Sequence, residues 1–330
     1  MTLRTRRPHA GARIAAVGAY RPSLEVGNDE IGARLGVSPQ WIQRRSGITT
    51  RRFAGEHESV IAMAVEAGRK ALAQCGTDPA DLSLVILATT SFTEQVPAAA
   101  PRIARRLGAS TAGAVDLNAA CAGFGYALAQ ADALVRSGEA HSILIIGSER
   151  MSDLVDPCDP DTAFLFADGA GAAVVAASNA PGIGPVVWGA EGDRHQLVTC
   201  GPQPPNRAPD ASRPALRMAG LELYRWATTH LPDIARQAVE AAGLRLEDIA
   251  AFIPHQANAR IIDTLASALA LRPDTVVARD ISEAGNTSAA SVPLAMDDLL
   301  TRNAVASGDR ALLLGFGAGL AYAAQVVTLP

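Results

Sequence analysis

The two halves of this sequence repeat each other, and that duplication restricts its fold more than any other feature. Residues 76–87 (GTDPADLSLVIL) and 243–254 (GLRLEDIAAFIP) each set a glycine five residues before an aspartate, then enter a short apolar strand. AVDLNAACAGFGYAL (114–128) parallels VARDISEAGNTSAAS (277–291): a strand ending in Asp, a turn of small residues, then a helix, with both turns expected at one offset from Asp116 and Asp280. SGEAHSILIIG (137–147) answers to SGDRALLLG (307–315), and ADGAGAAVVAA (167–177) to FGAGLAYAAQVV (316–327). Four elements recurring in one order predict two α/β half-domains, over residues 1–178 and 179–330. The strands SLVILAT, SILIIG and ALLLGF are continuously apolar rather than alternating, so each half should bury a sheet under helices on both faces. At 330 residues and 48% hydrophobic, the chain has the apolar content for it.

Two insertions break the repeat. Residues 20–60 carry Trp41 and the basic cluster Arg44, Arg45, Arg51 and Arg52; residues 190–215 are Pro-rich and polar and read as a long surface loop. The four cysteines, Cys75, Cys121, Cys158 and Cys200, form no CxxC pair and suit neither a disulfide framework nor a zinc site, which points to a reducing cytoplasm. No apolar run matches a signal peptide or approaches ~20 residues, so a soluble, non-exported, membrane-free protein is expected. A net charge of −4 offers nucleic acid no global attraction.

Chemistry concentrates in four places. Cys121 sits where the first-half helix begins, and a helix amino end favours a thiolate below the reference thiol pKa of ~8.5. Its small neighbours leave room for an acyl group, although a buried inert cysteine fits the position equally well. His255 ends the second-half strand AFIPH, where a catalytic group occurs at the carboxyl edge of a sheet. Asn286, in AGNTSAAS, falls at the turn related by the repeat to that of Cys121, but Asn-Thr-Ser is also ordinary turn chemistry. GFGAG (315–319) is no dinucleotide fingerprint, and reads better as a tight loop offering a backbone N–H beside a nucleophile.

With ACAGF, IPHQANARII, GNTSAAS and GFGAG in this order, the chain resembles the β-ketoacyl-acyl carrier protein synthase III family, of the thiolase fold, over nearly its whole length. The resemblance implies a five-layered αβαβα sandwich, a homodimer, and a Cys-His-Asn triad at Cys121, His255 and Asn286. It implies that Cys121 takes the acyl group of an acyl-CoA starter, and that malonyl-acyl carrier protein then condenses with it decarboxylatively, with no metal or redox cofactor. The oxyanion would meet the backbone N–H groups of Cys121 and Ala318. Trp41 and Arg45 match residues that grip CoA, Ala257 and Asn258 residues lining the pantetheine tunnel, and Arg225 and Arg260 basic residues where the carrier protein docks. The chain departs from the pattern with Asp153 in place of a second nucleotide-contacting arginine, Leu221 in place of a tunnel asparagine, and Ala318 in place of a glycine. Val96 stands where acetyl-specific members carry a phenylalanine, so a deeper acyl pocket is expected. Both fatty-acid initiating enzymes and aromatic-polyketide starter-unit ketosynthases resemble this chain, which favours a priming enzyme accepting short or branched acyl groups. Two other readings compete: acyl transfer to a hydroxyl, amine or carrier protein without condensation, and a non-catalytic subunit that binds carrier protein.

Overall fold

The apolar runs that read as buried strands lie at the centres of two five-stranded sheets in a computed structural model that describes residues 6–201 and 215–330. The first sheet comprises β1 (Gly11–Tyr20), β2 (Leu84–Ala88), β3 (Gly113–Leu117), β4 (Ser142–Arg150) and β5 (Asp168–Ser178). The second comprises β6 (Val187–Ala190), β7 (Ala251–Pro254), β8 (Val276–Val277), β9 (Arg310–Phe316) and β10 (Ala321–Thr328). Their spatial orders, β1-β5-β4-β2-β3 and β6-β10-β9-β7-β8, are the same order written twice. The senses match too: β2 runs parallel to β3 and β4, as β7 does to β8 and β9, while the remaining two strands of each sheet pair antiparallel.

Strand alternation assigns the layers. Val85, Leu87, Leu144 and Ile146 face helices α1 (Val60–Cys75) and α2 (Ala100–Leu107), whereas Ile86, Ile143 and Ile145 point inward. In the second sheet Leu312 and Leu314 face α4 (Gly220–Ala241) and α5 (Ala259–Leu269), and Ala311 and Leu313 point inward. Between the sheets lie α3 (Gly123–Arg136) and α6 (Ser291–Thr301). Phe124, Ala127, Leu128, Ala131 and Val135 of α3, and Val292, Ala295, Met296 and Leu299 of α6, follow helical spacing into this shared core. The result is the αβαβα sandwich expected from the sequence.

The repeat register differs from the sequence reading. Counting from Asp116 and Asp280 aligns Cys121 with Gly285, but the short helix Ile281–Ala284 intervenes in the second half alone. The turns that match are Ala120–Ala122 and Ser288–Ala290, single 3₁₀ turns that lead directly into α3 and α6. Ala120 and Ser288 hold the same left-handed backbone, with φ of 48° and 49°. Each turn is fastened by an asparagine two residues earlier: Asn118 Oδ1 accepts from Ala120 N–H at 3.2 Å, and Asn286 Oδ1 from Ser288 N–H at 2.9 Å. Asn286 is therefore the counterpart of Asn118, and Cys121 of Ala289.

The described parts of the insertions hold regular structure. Leu24–Gly27 pairs with Thr50–Phe53 around two short helices, Asn28–Leu35 and Pro39–Ser46, packed by Ile31, Ile42 and Ile48 against Phe164 and Phe166. Within 190–215, Val198–Gly201 forms a strand antiparallel to Ala215–Met218 rather than loop; residues 202–214 lie outside the described residues. The basic cluster also separates. Arg51 is fully buried, donating to Asn28 Oδ1 and the Phe164 carbonyl at 2.8 Å each, and burial lowers its pKa to about 10. Arg52 pairs with Glu25 at 2.7 Å, so four arginines do not make one surface patch. No helix among the described residues is long and apolar enough to cross a membrane.

Candidate active site

The carboxyl ends of the parallel strands in both sheets converge on one cavity of about 380 Å³. Cys121 follows β3, His255 follows β7, Asn286 follows β8, and Gly317 and Ala318 follow β9; all five line that cavity. Parallel strands deliver their carboxyl-end loops to one edge of a sheet, and the two sheets face each other across α3 and α6, so sites 167 residues apart in the chain meet here.

Cys121 occupies the middle of the Ala120–Ala122 turn, half-buried. Its Sγ lies 3.4 Å from Ser288 Oγ. The expectation of a depressed thiol pKa is not met: burial pushes the thiol up to about 12, the Ser288 hydrogen bond pulls it down, and the negative charge of Glu149 adds to the rise. Gly317 is a close-approach glycine, because a Cβ there would stand 2.9 Å from Cys121 Cβ and 3.2 Å from Sγ. Ala318, where the family pattern has glycine, opens the 3₁₀ turn Ala318–Leu320 and is not among the residues with positive φ, so its methyl brings no backbone strain. Its N–H is the first of that turn and has no acceptor within it.

His255 is 2% exposed, its backbone N–H continuing the ladder to the Leu314 carbonyl at 2.7 Å and its ring set edge-on to Phe316 at 5.2 Å. Burial lowers its pKa to about 3, so the imidazole is neutral throughout the physiological range. Its Nδ1 is 2.6 Å from Ser291 Oγ, which in turn accepts from Gln256 N–H at 3.3 Å. A Ser291 hydroxyl that donates to Nδ1 leaves the imidazole proton on Nε2. Asn286, 5% exposed, has Oδ1 tied to Ser288 N–H, while Nδ2 reaches only the Ala257 carbonyl at 3.5 Å and is nearly free to donate.

The outer residues are placed unequally. Ser38 caps the helix that carries Trp41 and Arg45; the Arg45 guanidinium lies over the Trp41 ring at 4.8 Å, and Phe164 meets that ring edge-on at 5.3 Å. Arg45 and Arg260 line the cavity; Arg225 lies exposed one residue along α4 from Tyr224, whose ring is 5.9 Å from the Arg260 guanidinium. Ala257 and Asn258 line the cavity as expected, yet the Asn258 amide is already engaged, accepting from Arg260 N–H at 2.9 Å and donating to the Arg45 carbonyl at 3.0 Å. Val96 is 86% exposed and does not line the cavity of its own chain. Leu221 lines it and is 64% exposed, whereas Asp153 turns to Arg150 at 3.2 Å. Among the described residues no group of three or more His, Cys, Asp or Glu side chains is placed to hold a metal.

Sequence reasoning passed over three residues in this site: Ser288, Ser291 and Glu149. The two serines stand inside GNTSAAS and look like turn chemistry. Glu149 had one visible signal, an acid at the end of the apolar strand SILIIGSE.

Comparisons with known proteins agree with this architecture. Residues 115–192 match the family described as 3-oxoacyl-[acyl-carrier-protein (ACP)] synthase III, and residues 239–329 match its C-terminal family. The beta-ketoacyl-[acyl-carrier-protein] synthase III 1 of Streptomyces coelicolor is 48% identical, with 97% of this chain and 96% of that protein covered. The priming beta-ketosynthase from the R1128 polyketide biosynthetic pathway superposes with a TM-score of 0.96 at 44% identity, covering 100% of this chain and 99% of the other. The 3-oxoacyl-[acyl-carrier-protein] synthase III of Aquifex aeolicus gives 0.88 at 36%, over 96% and 100%.

Proposed function

The chain belongs to the 3-oxoacyl-[acyl-carrier-protein] synthase III family, and from that membership and the cavity we infer that it condenses an acyl-CoA starter with malonyl-acyl carrier protein. It is an acyltransferase of the priming kind. The observation that carries the reading is the meeting of Cys121, His255 and Asn286 on one cavity that also holds Arg45 and Arg260.

In the proposed cycle Cys121 Sγ attacks the starter thioester, CoA leaves, and an acyl-enzyme remains. The oxyanion of that step takes hydrogen bonds from the backbone N–H groups of Cys121 and Ala318, donors whose individual loss costs about 2.7–4 kcal/mol of barrier. Malonyl-carrier protein then enters. The Nε2–H of neutral His255 and the Nδ2–H of Asn286 donate to the malonyl thioester oxygen and stabilise the enolate left when carbon dioxide departs. The enolate carbon attacks the acyl carbonyl, the new C–C bond forms and the Sγ–C bond breaks, its electron pair staying on Sγ, which takes up one proton from solvent to restore the thiol. The cycle takes in two thioesters, converts the starter's into the new ketone, keeps the carrier protein's in the product, and asks no metal or redox group of the protein.

Arg45, with Trp41 beneath it, is the proposed grip on the CoA nucleotide; Arg260 and Arg225 are the proposed contacts with an acidic carrier protein. Asn258 contributes by orienting Arg260 and Arg45, since its amide is engaged with both backbones. A homodimer fits the outer edge of β3, which has a neighbour on one side only and exposes Val115 at 44%, and it would cover Val96, which is 86% exposed. In that assembly Val96 would border the partner's acyl pocket. A cytoplasmic setting fits four cysteines that are all free thiols.

Intact mass after incubation with acetyl-, propionyl-, isobutyryl- and hexanoyl-CoA tests the reading. An acyl adduct on the wild type, absent from Cys121→Ser, and carbon dioxide release from malonyl-carrier protein are expected; a wild type that never acquires an adduct overturns it. Comparable turnover across the panel supports a broad priming enzyme, and strict acetyl preference sinks that part. Acyl transfer without condensation is disfavoured by Asn286, whose amide is oriented to donate into the cavity.

A further inference from the structure

Glu149 is a fully buried carboxylate with no cation among its hydrogen-bond partners in the described residues. Leaving a charge uncompensated in an interior is costly, and an apolar residue at the end of an apolar strand would avoid that cost. Six donors surround it: the backbone N–H groups of Thr90 and Ser91, and the hydroxyls of Thr89, Thr90, Ser91 and Ser288. Five of the six come from the loop after β2, and they suffice to pin that loop. The sixth does not belong to it. Ser288 Oγ arrives from the other half of the molecule, 3.0 Å from Glu149 Oε1, and its second neighbour is Cys121 Sγ at 3.4 Å.

The turn that carries Ser288 does not need a hydroxyl. Its counterpart in the first half, Ala120, adopts the same positive φ and takes the same asparagine hydrogen bond with a bare methyl. The hydroxyl is thus explained by its two neighbours, which it joins into a line: Cys121 S–H to Ser288 O–H to the Glu149 carboxylate. That line answers a need the proposed cycle leaves open. Among the described residues the side-chain hydrogen bond of Cys121 Sγ goes to Ser288 Oγ and none joins it to His255, whose Nδ1 is taken by Ser291, so the path open to the thiol proton runs through Ser288.

We propose that Ser288 and Glu149 form a proton relay that removes the Cys121 thiol proton as the acyl group is taken up, and returns it to the departing CoA sulfur. The inference rests on Cys121 being the acyl-accepting nucleophile. As the Sγ–C bond forms, the thiol proton passes to Ser288 Oγ and the hydroxyl proton of Ser288 passes to Glu149 Oε1. When the tetrahedral adduct collapses, the C–S bond to CoA breaks and its electron pair stays on the CoA sulfur. The relay then runs backward, Glu149 to Ser288 to that sulfur, leaving an acyl-enzyme, free CoA thiol and an ionised carboxylate. No oxidant, reductant or further reactant is required. Ser288 and Glu149 act through Cys121, as positioning and proton-carrying residues.

Rapid-quench acylation of the full chain by acetyl-CoA, followed by intact mass in mixtures of light and heavy water, tests the relay. In the wild type the acylation rate should fall with deuterium fraction along a curve, the signature of two protons in flight. Ser288→Ala, which copies the residue already present at position 120, should acylate about 10²-fold more slowly with a linear dependence, the scale of a lost proton-transfer group. Glu149→Gln should show the same loss, and the double variant no greater loss, since the two act as a unit. Wild-type acylation rate and isotope curve in Ser288→Ala overturn the relay, whatever Glu149→Gln does. Slowed variants that keep the curved dependence also overturn it, because displacement of Cys121 alone slows the step without changing the number of protons moved. A wild type with no adduct at all would instead mark the failure of the nucleophile assignment.

Discussion

At the scale of single residues, the site depends on spaces as much as on functional groups. A methyl at position 317 would press on Cys121 Cβ at 2.9 Å from inside the loop that carries the Ala318 N–H. Gly317→Ala is expected to reduce acylation by about 10²-fold, the loss of one oxyanion donor's alignment, and to lower stability by about 1–3 kcal/mol, as overpacking does, measured by adduct formation and calorimetry. His255 makes a separate prediction. Its native pKa of about 3 lies below the unfolded value of ~6.5, so the folded state resists protonation that the unfolded chain accepts. The stability from keeping it neutral is complete above pH ~6.5 and is lost as the pH falls toward 3, at up to ~1.4 kcal/mol per pH unit. Buried Glu149, Asp168 and Asp280, whose pKa values burial raises, tilt stability the opposite way, so the comparison is between proteins rather than along one curve. His255→Gln should lose less melting temperature than the wild type between pH 6.5 and 4; equal losses would contradict the burial assigned to His255.

At the scale of elements, the strands and their duplication were legible because burial on both faces writes itself as unbroken Val, Ile and Leu, and because the pattern occurs twice; which strands lie side by side was not. Cys121 and His255 were legible for a related reason: each interrupts the pattern at a strand's carboxyl end. Asn286 was found at the right place for the wrong register, because the helix Ile281–Ala284 lengthens one connection and not the other. Glu149 and Ser288 escaped because a contact spanning 139 residues leaves no period in the chain. Arg51 escaped for the opposite reason, since its neighbours in sequence are surface arginines while its own side chain is enclosed. Element contacts also set tolerance. Gly147 in β4 abuts the second-half turn so closely that a Cβ would stand 2.4 Å from the Ala289 carbonyl oxygen. Gly147→Ala should destabilise by about 1–3 kcal/mol, as overpacking does, and should displace Ser288 and Asn286 together. Denaturant unfolding measures the first effect, and loss of both acylation and decarboxylation the second.

At the scale of the whole molecule, the exposed edge of β3 predicts association. The wild type should sediment as the proposed dimer and Val115→Lys as a monomer, because a charge on an edge strand opposes pairing with a second copy. If Val96 borders the partner's pocket, that monomer should also lose its acyl preference. The layer made by α3 and α6 has a different consequence, because its apolar side chains are shared by both sheets. The first half supplies the sulfur and the carboxylate; the second supplies the imidazole, the amide and the hydroxyl between them. In the proposed cycle neither set suffices alone. Covalent labelling of Cys121 by a thioester therefore reads out docking: halves that each keep their helices and strands but fail to close on α3 and α6 would look folded by circular dichroism and remain unlabelled.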